Sequence, residues 1–96
     1  MKYRSRTDIV STILQAAMNG ATKTRLMYNA FLSYAQIQEY LRFLTERRLI
    51  SFEATTAKYT LTEQGLRVLT VYGEISAIVS LDGAKASDNV MPGLLA

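Results

Sequence analysis

The sequence predicts an α+β fold that is mostly helical, with its elements in the order α-α-α-β-β-α. Three apolar patterns with helical spacing occupy the first half of the 96-residue chain, each preceded by a Ser or Thr that suits a helix cap. A short segment at 49–61 is rich in β-formers and contains a turn at 56–57, which predicts a hairpin. A longer apolar pattern at 63–81 predicts a fourth helix.

The first two helices are bounded by ordinary start and stop signals. We expect the first helix at 8–19, with Thr7 as its N-cap and Gly20 just beyond its end, because Gly tolerates the left-handed conformation there. The second helix is shorter and is expected at 23–29, capped by Thr22. The connector to the third helix is then only a few residues long, as a helix-turn-helix requires.

The third helix has the clearest signals in the chain. Ser33 precedes it, and Gln36 three residues later completes a capping-box pattern. An apolar stripe at helical spacing predicts its buried side, and the residues are Ile37, Leu41 and Leu44. The outer side is polar, and the helix ends in the basic pair at 47–48, directly before the first strand of the hairpin.

The fourth helix carries a second apolar stripe, spaced 4-3-4, that predicts a seam for another helix: Val68, Tyr72, Ile75 and Val79. Thr62 is its expected cap. We expect the stripe to form a homodimer, the alternative being that it packs on the chain's own core. The predicted organisation is a basic N-terminal arm at 1–6, a helix-turn-helix domain with its hairpin at 7–62, the dimerisation helix at 63–81, and a flexible tail at 82–96.

Composition excludes most kinds of active site. The chain has no Cys and no His, so disulfides, the usual zinc and iron ligands and the commonest general base are all missing. Its eight acidic residues are scattered without a paired motif, and a hydrolase working through carboxylates alone is disfavoured. We therefore expect no enzyme, no cofactor and no small-molecule ligand. Neither a membrane span nor a signal peptide is predicted, which favours a cytoplasmic protein.

Charge is distributed unevenly along the chain. Residues 1–48 contain eight Lys or Arg against three Asp or Glu, whereas residues 49–96 contain three against five. The basic half is the half with the helix-turn-helix pattern, and such asymmetry favours a nucleic-acid partner over an ordinary solvated surface.

Four segments in matching order carry a family resemblance, and they are 21–28, 32–34, 40–41 with 49–50, and 59–65. Together they resemble the small archaeal winged-helix DNA-binding proteins that are described as predicted transcriptional regulators. The resemblance implies a winged helix-turn-helix whose long fourth helix pairs with its mate as an antiparallel coiled coil. Phe31 departs from the pattern, because we expect a polar residue in that turn.

A winged helix places its third helix in the major groove and its second helix and wing on phosphates. Glutamine and arginine side chains on that helix suit adenine and guanine edges or phosphates. The predicted DNA-binding residues are Lys23, Arg25, Ser33, Tyr34, Gln36, Gln38, Arg42 and Lys58. The predicted function is duplex-DNA binding as a transcriptional regulator or a nucleoid-associated architectural factor. The alternative is a winged helix that contacts proteins and not DNA.

Overall fold

The computed structural model describes residues 4–83, with side chains described as far as Val79. The elements are α1 (Arg6–Ala16), β1 (Ala21–Thr22), α2 (Lys23–Asn29), α3 (Tyr34–Glu46), β2 (Ile50–Glu53), β3 (Lys58–Leu61) and α4 (Glu63–Gly83). The predicted order is confirmed, with one additional strand, β1. The helix α4 continues through the first two positions of the predicted tail, and the rest of that tail, 84–96, lies outside the described residues together with 1–3.

The start of α1 differs from the prediction. Ser5 is the N-cap, and its hydroxyl accepts a hydrogen bond from the Asp8 backbone N–H at 3.1 Å. The Asp8 carboxylate accepts from the Ser5 N–H in return, also at 3.1 Å, which completes a capping box. The predicted cap at Thr7 is wrong because only Ser5 has an acidic residue three positions later to close this box. Arg6, assigned to the basic arm, is the first residue of α1.

The three strands form one antiparallel sheet in the order β1-β3-β2. The hairpin pairs Ile50 with Leu61 and Phe52 with Tyr59, and the two-residue strand β1 joins its other edge through Ala21, opposite Tyr59. This third strand places the start of α2 beside the turn end of the hairpin, because Thr22 pairs with Lys58. It escaped prediction because two residues are too few to establish a period.

The core lies where the three N-terminal helices and the sheet meet. The predicted inner stripe of α3 is buried, as are Ile13 and Leu14 of α1 and Leu26 of α2. Further buried residues close the core between the helices and the strands, and they are Ala17, Ala21, Ala30, Leu49 and Ile50. The polar side of α3 is thereby left facing outward.

The junction between α3, the hairpin and α4 is held by two neighbouring carbonyls. The Leu49 oxygen accepts a hydrogen bond from the Thr62 N–H at 3.1 Å, and the Thr62 hydroxyl donates to the Arg48 oxygen at 2.7 Å, with the Leu49 oxygen also within reach at 3.0 Å. The same hydroxyl oxygen accepts from the Gly65 N–H at 3.0 Å, so Thr62 caps α4 as predicted. Gly65 lies so close that a Cβ there would be 2.1 Å from the Leu49 oxygen. Only glycine fits this contact.

A second tie connects α4 to α1. The Tyr72 hydroxyl donates a hydrogen bond of 2.5 Å to Asp8. This bond, followed by those from Ser5, holds the pKa of Asp8 below its ordinary value, and the carboxylate in turn raises the pKa of Tyr72. Asp8 therefore caps α1 with one carboxylate oxygen and holds α4 with the other.

Part of the exposed surface of α4 is apolar. Its inner side packs against the core through Leu69. Its outer side presents a stripe, here called the α4 stripe, formed by Val68, Val71, Ile75, Ile78 and Val79. No helix in the described part of the chain is long and apolar enough to span a bilayer.

Substitutions at two glycines of α4, Gly65 and Gly73, are expected to have opposite effects on stability. We expect Gly65→Ala to destabilise the fold by about 3 kcal/mol, because the methyl group collides with the backbone of Leu49. A Cβ at Gly73 would meet no neighbour within 4 Å among the described residues, so Gly73→Ala should stabilise the helix by about 1 kcal/mol. Thermal unfolding followed by circular dichroism measures both changes. Equal melting temperatures for the two variants would contradict the close contact at Gly65.

The tie between α1 and α4 predicts a dependence of stability on pH. Asp8 has its pKa lowered from 3.8, so its contribution is complete above that value and is lost as the pH falls through the lowered pKa. Tyr72 has its pKa raised from 10.0, so its contribution is complete below that value and is lost as the pH rises through the raised pKa. We expect the melting temperature of Tyr72→Phe to lie below the parent's by a constant margin between about pH 5 and pH 9. Outside that range the margin should shrink. A margin that does not change with pH would contradict the tie.

Candidate nucleic-acid interface

The site begins at the start of α3, where the predicted capping box is present. The Ser33 hydroxyl accepts from the Gln36 N–H at 3.2 Å, and the Gln36 side-chain oxygen accepts from the Ser33 N–H at 2.9 Å. Each side chain is therefore already engaged in holding the first turn of the helix. Tyr34 and Gln38 lie outside the box with their side chains in solvent.

Lys23 connects the second helix to the third. Its ammonium group donates hydrogen bonds to the Gln38 side-chain oxygen at 2.6 Å and to the Tyr34 hydroxyl at 3.2 Å. The nitrogen is also 4.8 Å from the centre of the Tyr34 ring. The hydroxyl is the nearer partner, so we treat the contact as a hydrogen bond more than a cation–π interaction. Three predicted site residues from two helices thus form one cluster, which we call the Lys23 cluster.

An open cleft of about 480 Å³ extends this cluster towards the wing. Gln38 and Arg42 of α3 form one wall, and Phe52 and Tyr59 of the hairpin form the other. The two rings pack together with centroids 4.8 Å apart, and Phe52 is nevertheless exposed. The sequence identifies Phe52 as an apolar strand residue, and only the sheet register shows that it borders this cleft.

The other two predicted cations lie outside the Lys23 cluster. Arg25 is exposed in the first turn of α2, where its backbone N–H is capped by the Thr22 hydroxyl at 3.3 Å. Lys58 is exposed at the turn end of the hairpin, opposite Glu53 in the last strand pair before the turn, and it pairs with Thr22 on its other side. The cleft does not bring either of them into the Lys23 cluster.

The acidic residues of α3 are placed away from most of this surface. Glu39 borders a different groove, of about 630 Å³, that runs between α1, α3 and the start of α4. Glu46 borders both that groove and the end of the cleft. Of the acidic residues on α3, only Glu46 lines the cleft, at the end of α3. The hydrogen bonds of the Lys23 cluster, at the start of α3, involve no acidic side chain.

The described residues offer no sign of a metal centre. Within 4–83 there is no group of three or more acidic side chains placed to hold an ion, and the chain has neither His nor Cys. The chemistry available at the site is hydrogen bonding, positive charge and aromatic contact.

A helix-turn-helix followed by a two-stranded wing, with a polar third helix facing outward, is the arrangement of one known family. The family model for the winged helix-turn-helix matches residues 3–80. The chain belongs to the winged helix-turn-helix family. Its α3 occupies the place of the recognition helix, and its hairpin is the wing.

Comparison with solved structures gives a similar result. The chain is similar to Sso10a-2, a DNA-binding protein from Sulfolobus solfataricus, with 26% sequence identity and a TM-score of 0.72. The match covers 86% of this chain and 90% of that protein. Comparison with curated proteins gave no significant match.

The predicted dimer residues do not all lie on one surface. Val68, Ile75 and Val79 belong to the exposed α4 stripe. Tyr72 is half-buried and bonded to Asp8, so it faces α1 of the same chain. The exposed residues Val68, Val71, Ile75 and Ile78 are spaced 3-4-3 along the helix. This spacing is also typical of a surface that pairs with another helix.

Proposed function

We propose that this winged helix binds duplex DNA, with α3 in the major groove and the wing and α2 on the flanking phosphates. The observation that carries the proposal is the Lys23 cluster, which places a cation, a phenol and an amide at the start of the recognition helix. The N-terminal residues of that helix are the ones that contact base edges in helix-turn-helix proteins. Membership of the family and the similarity to Sso10a-2 support it.

The Lys23 cluster also suggests how the site prepares for DNA. Without a ligand, the Lys23 ammonium is held by Gln38 and Tyr34, which fixes all three side chains in advance. A phosphate is a stronger partner for an ammonium than a neutral amide, because both groups are charged. We propose that Lys23 moves to the backbone and thereby frees Gln38 to pair with a base, adenine being its best match.

The cations at the edges of the site have a different role. Arg25 and Lys58 are exposed and do not line the cleft, the first on α2 and the second on the wing. Contacts of this kind position a protein on duplex DNA without reading its sequence. Arg42 lies within the cleft and is placed for either a guanine or a phosphate.

We further propose that the protein acts as a homodimer joined through the α4 stripe. Five large apolar side chains on one side of a 21-residue helix are left in solvent by the rest of the described chain. Pairing with a second copy about a two-fold axis buries them symmetrically. A dimer would hold two recognition helices, which suits a transcriptional regulator and an architectural factor alike.

The DNA proposal predicts salt-dependent binding that weakens when one cation is removed from the cleft. We expect Arg42→Ala to lower affinity and to reduce the log–log salt slope by about 0.9 if its partner is a phosphate. If the partner is a guanine, the loss is about 1–3 kcal/mol with little change of slope. Fluorescence anisotropy with a labelled duplex at several salt concentrations measures both quantities.

The matched control is Arg67→Ala. Arg67 is an exposed cation on α4, paired with Glu63 at 3.7 Å and remote from the cleft. We expect this variant to retain the parent's affinity apart from the small effect of net charge. If both variants lost the same affinity, binding would be diffuse and not located at α3. If the parent failed to bind any duplex at low salt, the winged helix would be a protein-contact module.

The dimer proposal predicts that a charge in the α4 stripe separates the two copies. We expect Ile75→Asp to sediment as a monomer at tens of micromolar, because the carboxylate would be buried among apolar side chains without a partner. Thr70→Asp adds the same charge to a position outside the stripe and should remain dimeric. A parent that sediments as a monomer at the same concentration would contradict the proposal.

A further inference from the structure

The turn between α2 and α3 contains an aromatic residue in a conformation that suits glycine. Two hydrogen bonds close the end of α2, from the Phe31 N–H to the Tyr28 oxygen at 3.2 Å and from the Leu32 N–H to the Met27 oxygen at 3.0 Å. This is the Schellman arrangement, in which Phe31 takes the left-handed position with φ of 55°. Glycine is usual there because a Cβ is strained at positive φ.

The Phe31 side chain does not contribute to the core. It is 83% exposed, more than any other large apolar side chain in the described part of the chain. Its neighbour Leu32 packs against the core and anchors the turn. Phe31 therefore carries both a backbone strain and an exposed ring, and no packing within the described chain offsets either. A strained residue with an exposed ring is a candidate for a contact made with something outside the chain.

The position of Phe31 indicates what that contact is. It lies two residues before the Ser33 cap, in the turn that leads into the recognition helix, and three residues before Tyr34, whose hydroxyl is bonded to the Lys23 ammonium. A turn at the start of a recognition helix lies close to the bases when that helix enters the major groove, where the main apolar group is the C5-methyl of thymine.

On this basis, and resting on the proposed binding of duplex DNA, we propose that Phe31 packs against thymine methyl groups and gives the protein a preference for A·T pairs. The contact is apolar, so it adds to the polar reading by Gln38 without needing a hydrogen bond. It also accounts for the aromatic residue at a position where the family pattern predicts a polar one.

The test compares two duplexes that differ only in the thymine methyl. The parent should bind an alternating dA·dT duplex more tightly than the same duplex made with deoxyuridine, by about three- to fourfold for each methyl that is buried, which corresponds to ~0.8 kcal/mol. Phe31→Gly should bind the two duplexes equally. A guanine–cytosine duplex should likewise gain affinity for the parent, and not for the variant, when its cytosines carry a 5-methyl group.

Two controls separate this contact from stability and from the DNA proposal itself. Phe31→Gly relieves the left-handed backbone, so its melting temperature should equal or exceed the parent's. Arg48→Gly makes the same change at the matching position after α3, where φ is 62°, and should keep the parent's thymine-to-uracil ratio. A ratio of one for the parent, or a ratio unchanged in Phe31→Gly, overturns the methyl contact. Absence of binding to every duplex overturns the proposed function instead.

Discussion

The contact of Thr62 with the carbonyls of Arg48 and Leu49 is the point on which the arrangement of the recognition helix, the wing and the long helix depends. These two residues lie between α3 and β2, and their oxygens accept from the hydroxyl and the N–H of Thr62, the residue that follows β3 and caps α4. Gly65 allows α4 to approach within contact of the Leu49 carbonyl. Two adjacent backbone groups therefore set the angle between the surface proposed to bind DNA and the helix proposed to join two copies. A shift there would alter both at once.

The Lys23 cluster depends on this arrangement in a less direct way. The strand β1 pairs with β3 through Ala21, and α2 begins immediately after it. Because β3 is held at the Leu49 junction, the start of α2 is held beside α3 at the distance that lets Lys23 reach Gln38. The geometry of the Lys23 cluster therefore depends on the pairing of β1 with β3 as well as on α2 and α3.

Signals close together in the chain predicted most elements correctly, with the cap of α1 as an exception, and contacts distant in the chain could not be predicted. The capping box of Ser33 and Gln36 spans three residues, and the structure contains it as expected. The strand β1 depends on a partner in β3, which no local pattern reveals. The same holds for α4, where spacing alone suits a stripe through either Val71 or Tyr72. The bond from Tyr72 to Asp8 and the packing of Leu69 on the core distinguish the inner side of α4 from the outer. The Lys23 cluster could be predicted as a set of candidates but not as a bonded group, because the crossing of α2 and α3 is decided by their buried sides.

Asp8 serves two partners with two oxygens, and this restricts what evolution can place at that position. Asparagine could accept from the Ser5 N–H through its oxygen and donate from its amide to the Tyr72 oxygen, but it would bring no negative charge to the helix N-terminus. Glutamate places its carboxylate one methylene further from the helix. Among sequences that share this architecture, the residues at positions 8 and 72 should therefore vary together. Loss of the phenol would release position 8 to any side chain that still caps the helix, whereas a retained tyrosine would keep aspartate or asparagine in place.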